Sequence, residues 1–371
     1  MSRIARLTLV LLVACGGDDD PDLLPELEAL GEHPVGFTQM SVTYDRPDGR
    51  GDRSLELLVW YPSEPAEDLE RPRYPYRTAV ARLDAPPAAG VFPVVAFSHG
   101  HQGAPDVSTF FCEHLASHGY VVFAPTHTGN TTADGSDRMT DIYYLRASDV
   151  SRSYDHLLTA DTPLRGHVGD RAVMTGHSFG GYTAYGLVGA TYDVAAIESE
   201  CAADTFPADV CDELDDTALG LFGGGFRDER FVALVAMASG DFRMYGAAGV
   251  AAVNVPVLQM VAEGDGHPAG SAAEDDYFVA LDGADDMRID LLGAGHNSYT
   301  DVCESLPNAT ALRCPDDGTV AEARALHRAR ERAINVYALA FVRAHLDGDR
   351  DALRFLEEDV LVEPSAEIVR K

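Results

Sequence analysis

Basic residues are scarce in this chain: 28 Lys and Arg stand against 60 Asp and Glu, a formal net charge of −32 over 371 residues. A surface of that sign repels phosphate backbones, which argues against a nucleic-acid partner. The acidity reads as a device for solubility, tolerated best where salt screens it. No internal repeat or low-complexity block is present, so a solenoid or a disordered array is not expected. No apolar run approaches the roughly 20 residues that a membrane-spanning helix needs. No Cys-x-x-Cys spacing occurs, and His99 and His101 have no third ligand at a suitable distance in sequence, so no metal site is expected.

The N-terminus carries a different signal. Arg3 and Arg6 precede the short apolar run Leu7 to Val13, and Leu12-Val13-Ala14-Cys15 leads into Gly16-Gly17-Asp18-Asp19-Asp20. A basic start, an apolar stretch and small residues before a cut describe a secretory signal. Leu-Val-Ala-Cys also resembles the bacterial lipobox. That resemblance implies lipid attachment at Cys15 and an exported protein of a bacterial cell envelope, held to the membrane only by its N-terminal anchor. The expected organisation is a signal segment over 1–15, an acidic flexible tether over 16–34, one main domain over 35–350 and a tail over 351–371. Export is compatible with disulfides. Cys201 with Cys211 and Cys303 with Cys314 are close in sequence and read as two local bridges. Cys112 reads as a buried helix thiol.

Within the main domain, apolar runs alternate with helical patterns. Phe37 to Tyr44 and Leu55 to Tyr61 read as antiparallel neighbours at one sheet edge. Phe92 to Ser98, Tyr120 to Ala124 and Arg171 to Thr175 read as strands, and so do Phe231 to Ala238, Val257 to Val261 and Arg288 to Leu292. Dense apolar runs of this kind suit strands covered on both faces. Asp106 to Ser117, Arg138 to Leu158, Tyr182 to Val188 and Ala321 to His345 read as helices. The fold class is therefore α/β, with a mainly parallel sheet and helices on both faces. Residues 191–230 break the alternation and read as an insertion near the functional site, either a small cap or a surface excursion.

The strongest chemical signal is Gly176-His177-Ser178-Phe179-Gly180-Gly181, between a strand and a helix. This is the context of a Gly-x-Ser-x-Gly nucleophile elbow, where a sharp turn presents Ser178 above the sheet and the following helix aims N–H groups at an anion. A serine needs a base. His296, in Gly293-Ala294-Gly295-His296-Asn297, follows the last strand candidate in a flexible, Gly-rich loop. The acid that orients it is Asp265, in the turn after Val257 to Val261, with Asp241 one strand earlier as the alternative. Backbone N–H groups of Phe179 and of His101, in Ser98-His99-Gly100-His101, are the candidate oxyanion donors. Chemistry of this kind needs no cofactor.

Phe97-Ser98-His99-Gly100, Leu115 to Val122, Gly176 to Gly181 and His296 to Asp301 together resemble bacterial α/β-hydrolases related to platelet-activating-factor acetylhydrolases. The same segments resemble cutinase-type polyesterases and predicted dienelactone hydrolases, over roughly Val35 to Leu346. The resemblance implies a serine carboxylesterase acting on a small-molecule or lipid ester, with Ser178 as nucleophile, His296 as base, and His101 and Phe179 as oxyanion donors. Cutinase-type enzymes imply Asp265 as the acid; the acetylhydrolases, which cleave lipid esters, imply Asp241. Dienelactone hydrolases proper use a Cys nucleophile, and Ser178 argues against their substrate. His101 stands where polyesterases carry an aromatic residue. The contrasting expectation is a cell-surface binding module that keeps the fold without the reaction.

Overall fold

The computed structural model describes residues 23–206, 208–265, 271–358, 360–362 and 366–371. The strands are β1 (Val35–Asp45), β2 (Asp52–Pro62), β3 (Arg82–Leu83), β4 (Phe92–Ser98), β5 (Val121–Pro125), β6 (Val168–His177), β7 (Phe231–Met237), β8 (Val257–Ala262), β9 (Met287–Leu291) and β10 (Ala366–Arg370). The helices are α1 (Leu24–Glu28), α2 (Thr109–Ser117), α3 (Met139–Thr159), α4 (Phe179–Leu187), α5 (Val194–Ala202), α6 (Ala208–Cys211), α7 (Asp216–Gly224), α8 (Gly246–Val250), α9 (Ser271–Ala280), α10 (Val302–Ser305), α11 (Val320–Val342) and α12 (Arg350–Glu357). The strands form one sheet in the order β10-β9-β8-β7-β6-β4-β5-β2-β1-β3. Pairing is parallel from β5 through β4, β6, β7 and β8 to β9. It is antiparallel where β2 meets β5 and β1, and where β10 meets β9.

The central strands are apolar throughout because both faces are covered. Successive side chains point to opposite faces. Val94, Ala96, Met174 and Leu234 join one core with Tyr154 and Leu157 of α3 and Tyr182 of α4. Val95, Phe97, Val173 and Val235 join the other with Phe111 of α2 and Ile334, Tyr337 and Phe341 of α11. Each fully buried Val, Leu, Ile, Phe or Met side chain among them contributes about 1.5–3 kcal/mol. Helix α11 begins at a capping box: the Thr319 hydroxyl accepts from the Glu322 N–H, and Glu322 accepts from the Thr319 N–H.

Two expected boundaries are corrected. The expected flexible tether over 16–34 overlaps ordered structure: α1 lies inside those bounds, and Leu27 is fully buried in the second core. The tail over 351–371 belongs to the fold. Phe355 and Leu356 of α12 are buried, and β10 pairs along β9 with Ile368 opposite Ile289. Without β10 the outer edge of β9 would present unpaired backbone groups. The insertion over 191–230 contains α5, α6 and α7, with Cys201 bonded to Cys211. It leans on the start of α3, where the Thr140 hydroxyl donates to the Val210 carbonyl at 2.7 Å. It also reaches the carboxyl rim of the sheet, where Arg243 donates to Glu200 and to the Thr205 carbonyl.

A buried histidine ties α1 to the body. His114 of α2 donates from Nε2 to the Leu27 carbonyl at 3.0 Å. Burial, helped by His118, pulls His114 down to about 3. The unfolded chain then binds a proton that the native chain refuses, so stability is full above the ordinary histidine value and is lost as pH falls through 6.5 toward 3. Urea titrations at graded pH should show a contribution of about 1.4 kcal/mol per pH unit in that window. The His114→Gln variant should have a shallower acid slope by that amount, and an unchanged slope would refute the assignment.

Candidate active site

The site forms where β6 ends and α4 begins. Ser178 occupies the turn with φ 58° and ψ −122°, a conformation that few non-glycine residues adopt. The residues two before it and two and three after it must be glycines. A Cβ on Gly176 would lie 2.2 Å from the Gly180 carbonyl oxygen, and one on Gly180 would lie 1.9 Å from that of Ser98. A Cβ on Gly181 would lie 2.0 Å from the Ser239 hydroxyl. The turn is therefore wedged between β4 and β7, and the Ser178 N–H donates to the Met237 carbonyl at 2.9 Å. Phe179 is the first residue of α4, where backbone N–H groups have no acceptor within the helix.

The structure brings Ser178, His296 and Asp265 together. The Ser178 hydroxyl donates to His296 Nε2 at 2.8 Å, and His296 Nδ1 donates to Asp265 Oδ2 at 2.5 Å. His296 begins a short 3-10 turn, His296–Tyr299, after β9. Gly295 is required there, because a Cβ would lie 2.5 Å from the Arg313 carbonyl oxygen. The Gly264 N–H donates to the Ala294 carbonyl at 2.8 Å, which joins the acid turn to the histidine loop. Asn297 donates from Nδ2 to the Leu312 carbonyl at 2.6 Å, within the loop closed by Cys303–Cys314. Asp301 accepts from the Thr109 N–H at 2.7 Å and from Arg77 Nε at 2.6 Å, which ties the far end of the histidine loop to α2.

His177 links the elbow to that same loop. Its Nε2 donates to the His296 carbonyl at 2.9 Å, and the two rings lie 4.9 Å apart. Burial and then the proximity of His296 pull His177 down to about 3, so it stays neutral beside the His296 ring. A second positive charge against His296 would oppose its protonation.

The loop after β4 passes directly over the serine: a Cβ on Gly100 would sit 3.2 Å from Ser178 Cβ. His101 is exposed, accepts at Nδ1 from Asn130 Nδ2 at 2.9 Å, and turns its ring toward Phe179 at 6.0 Å. Beneath this loop lies a polar cluster. His127 Nδ1 donates to Asp149 at 2.9 Å, and the Ser98 hydroxyl donates to His127 Nε2 at 2.9 Å. Asp149 also accepts from Arg53 Nε at 2.7 Å and from the Tyr44 hydroxyl at 2.6 Å. His99 donates from Nδ1 to the Gly100 carbonyl at 2.8 Å and accepts at Nε2 from the His127 N–H at 3.3 Å. Its ring nitrogens are thus engaged with protein groups. Burial holds both His99 and His127 well below the ordinary histidine range. Among the described residues, no group of three His, Cys, Asp or Glu side chains is arranged to hold a metal ion.

Asp241 follows β7 in a left-handed conformation and accepts from the Tyr143 hydroxyl at 3.2 Å; the carboxylate bonded to His296 is Asp265. Cys15 lies outside the described residues. Cys112 is a buried free thiol. Sequence reasoning passed over Arg146, Asn130, His127 and His177. A signal for Arg146 and Asp149 existed: two charges three residues apart inside a helix, on a face shared with Ile142 and Ser153.

A family model described as Chlorophyllase matches residues 72–199. That segment includes Ser178 and both candidate oxyanion segments, but neither Asp265 nor His296. No curated protein sequence matches the chain. The structure is similar to that of a ferulic acid esterase from Streptomyces cinnamoneus, with a TM-score of 0.63 and 21% identity, over 92% of this chain and 98% of that one. This likeness establishes the α/β-hydrolase fold.

The geometry assigns different weights to the two carboxylates. If the carboxylate bonded to His296 orients a catalytic base, Asp265→Asn should lower kcat on the order of 10⁴-fold. Asp241→Asn should leave kcat within a few fold. Steady-state kinetics on an activated ester checks both, and the reverse ranking would overturn the assignment.

Proposed function

We propose that this α/β-hydrolase-fold chain is a serine hydrolase of carboxylic esters, working through an acyl-enzyme. One observation carries the reading: the continuous hydrogen-bond path from Ser178 through His296 to Asp265, at an elbow faced by the oxyanion-loop backbone. His296 Nε2 takes the hydroxyl proton as Ser178 Oγ attacks the ester carbonyl. Asp265 holds the imidazole by its Nδ1–H and stabilises the imidazolium. The Phe179 and His101 N–H groups receive the oxyanion, each worth roughly 2.7–4 kcal/mol in the transition state. The alcohol leaves with the proton from His296. A water molecule then gives a proton to His296 and attacks the acyl-enzyme carbonyl; the bond to Ser178 Oγ breaks, His296 returns the proton to that oxygen, and the acid is released.

The Chlorophyllase match and the ferulic acid esterase neighbour support a hydrolase acting on esters at this coarser level. The contact of His296 with Asp265 supports a carboxylesterase over an acetylhydrolase that would place its acid at Asp241. The lipobox at Cys15 and the two disulfides support the further proposal of an exported, membrane-anchored lipoprotein.

Hydrolysis of p-nitrophenyl esters of graded acyl length should be measurable for the wild-type protein. Ser178→Ala should lower kcat on the order of 10⁶-fold. If the wild type is inert on every ester and a fluorophosphonate fails to label Ser178, the non-catalytic binding module replaces this reading. In a bacterial host, Cys15→Ser should move the protein from the membrane fraction to the soluble one. Membrane retention by that variant would refute the anchor.

A further inference from the structure

Arg146, in the middle of α3, is completely buried. A guanidinium without solvent normally meets a carboxylate. The acceptors of Arg146 are instead neutral. Nη1 donates to Asn130 Oδ1 at 3.1 Å; Nη2 donates to the Ser98 hydroxyl at 3.2 Å and to the His99 carbonyl. Its Nε has no acceptor among the described residues. The guanidinium also lies under the Phe179 ring, 5.0 Å from its centre.

These contacts converge on the two candidate oxyanion donors. The His99 carbonyl belongs to the segment that carries His101. Asn130, held by Arg146 on its Oδ1 side, holds the His101 ring on its Nδ2 side. Phe179 supplies the other donor, and its ring packs against His101 on one side and Tyr143 on another. One rigid fork thus touches the oxyanion loop, the side chain that fixes that loop's exposed residue, and the residue after the nucleophile. Asp149, three residues along the same helix, does not absorb the fork: it is taken up by Arg53, Tyr44 and His127.

We propose that Arg146 is the positioning residue of the oxyanion hole: its buried fork locks the His99–His101 segment and Phe179 at the separation that the transition state requires. The proposal rests on the serine-esterase reading. A lysine cannot replace it, because an ammonium is a point donor without the planar fork that spans Asn130, Ser98 and the His99 carbonyl. The cation also adds a favourable field for a developing oxyanion in surroundings that exclude water. Burial pulls the guanidinium down to about 9, and the partial compensation by Asp149 and Asp241 leaves it a cation at neutral pH.

The test compares wild type, Ser178→Ala, Arg146→Lys, Arg146→Gln, Asn130→Ala and the Arg146→Lys/Asn130→Ala double variant on one p-nitrophenyl ester. Urea unfolding identifies the variants that remain folded. Each folded Arg146 or Asn130 variant should lose kcat by about 10- to 100-fold, less than loss of a direct donor, with KM unchanged. Inhibition by a boronic acid, which mimics the tetrahedral state, should weaken by the same factor. The double variant should lose less than the product of the single losses, because both act through one loop. Folded Arg146→Lys and Asn130→Ala with wild-type kcat would overturn the proposal, and so would losses confined to KM or strictly multiplicative losses. Should Arg146→Gln fail to fold, the Lys and Asn130 variants carry the test. Full activity in Ser178→Ala would instead sink the serine-esterase reading, a result separable from failure at Arg146.

Discussion

Two backbone segments at the carboxyl end of the sheet approach each other so closely that no side chain fits between them. The Gly180 backbone lies against the Ser98 carbonyl, and the Gly176 backbone against that of Gly180. This contact forces Ser178 into its unusual conformation and aims its hydroxyl away from the sheet. It also sets the start of α4 beside the end of β4, so that the Phe179 N–H and the loop through His101 face the same space. The neighbouring strands β7 and β8 then bring their own terminal turns into range, and the turn after β8 supplies the carboxylate.

Such a wedge is stable only if the segments around it are held from behind, and each is held by a different means. The histidine loop is braced by the Cys303–Cys314 loop, by Asp301 on α2 and by the neutral ring of His177. The loop after β4 rests on buried polar groups, with Arg53, Asp149, His127 and Arg146 fully enclosed or nearly so. Polar groups in that position are costly unless satisfied. Asp149 is satisfied on both carboxylate oxygens. The surrounding apolar layers exclude water from this network and so strengthen its hydrogen bonds.

Much of this was legible in one dimension. The apolar runs of β4, β6 and β7 announced strands covered on both faces, and the alternation with helices announced a parallel sheet. Ser178 was legible because the steric demand of the elbow writes itself as glycines at fixed offsets. His296 was legible from its Gly-rich loop after the last parallel strand, where Gly295 again answers a close backbone approach. The two ends of the domain were harder to read. Residues 24–28 are too few for a periodic signal, and their order comes from Leu27 finding a pocket against α2 and α11. Strand β10 is short and half exposed, and it forms because β9 offers it an edge.

The sequence by itself determined the elements with a strict local rule: the covered strands, the elbow at Ser178, the long helical pattern of α11 and the short spacing of the two cysteine pairs. Each depends on neighbours along the chain, so its physics is written in adjacent letters. Only the tertiary structure put Asp265 rather than Asp241 against His296, since both follow strands at the same carboxyl end of the sheet and differ in which turn faces that ring. It alone placed Arg146 beneath the loop after β4, because a charge in a helix says nothing of what packs above it. Hydrogen bonds between residues 16 to 119 positions apart connect these groups, and their partners are set by how the strands of the sheet and α3 stack.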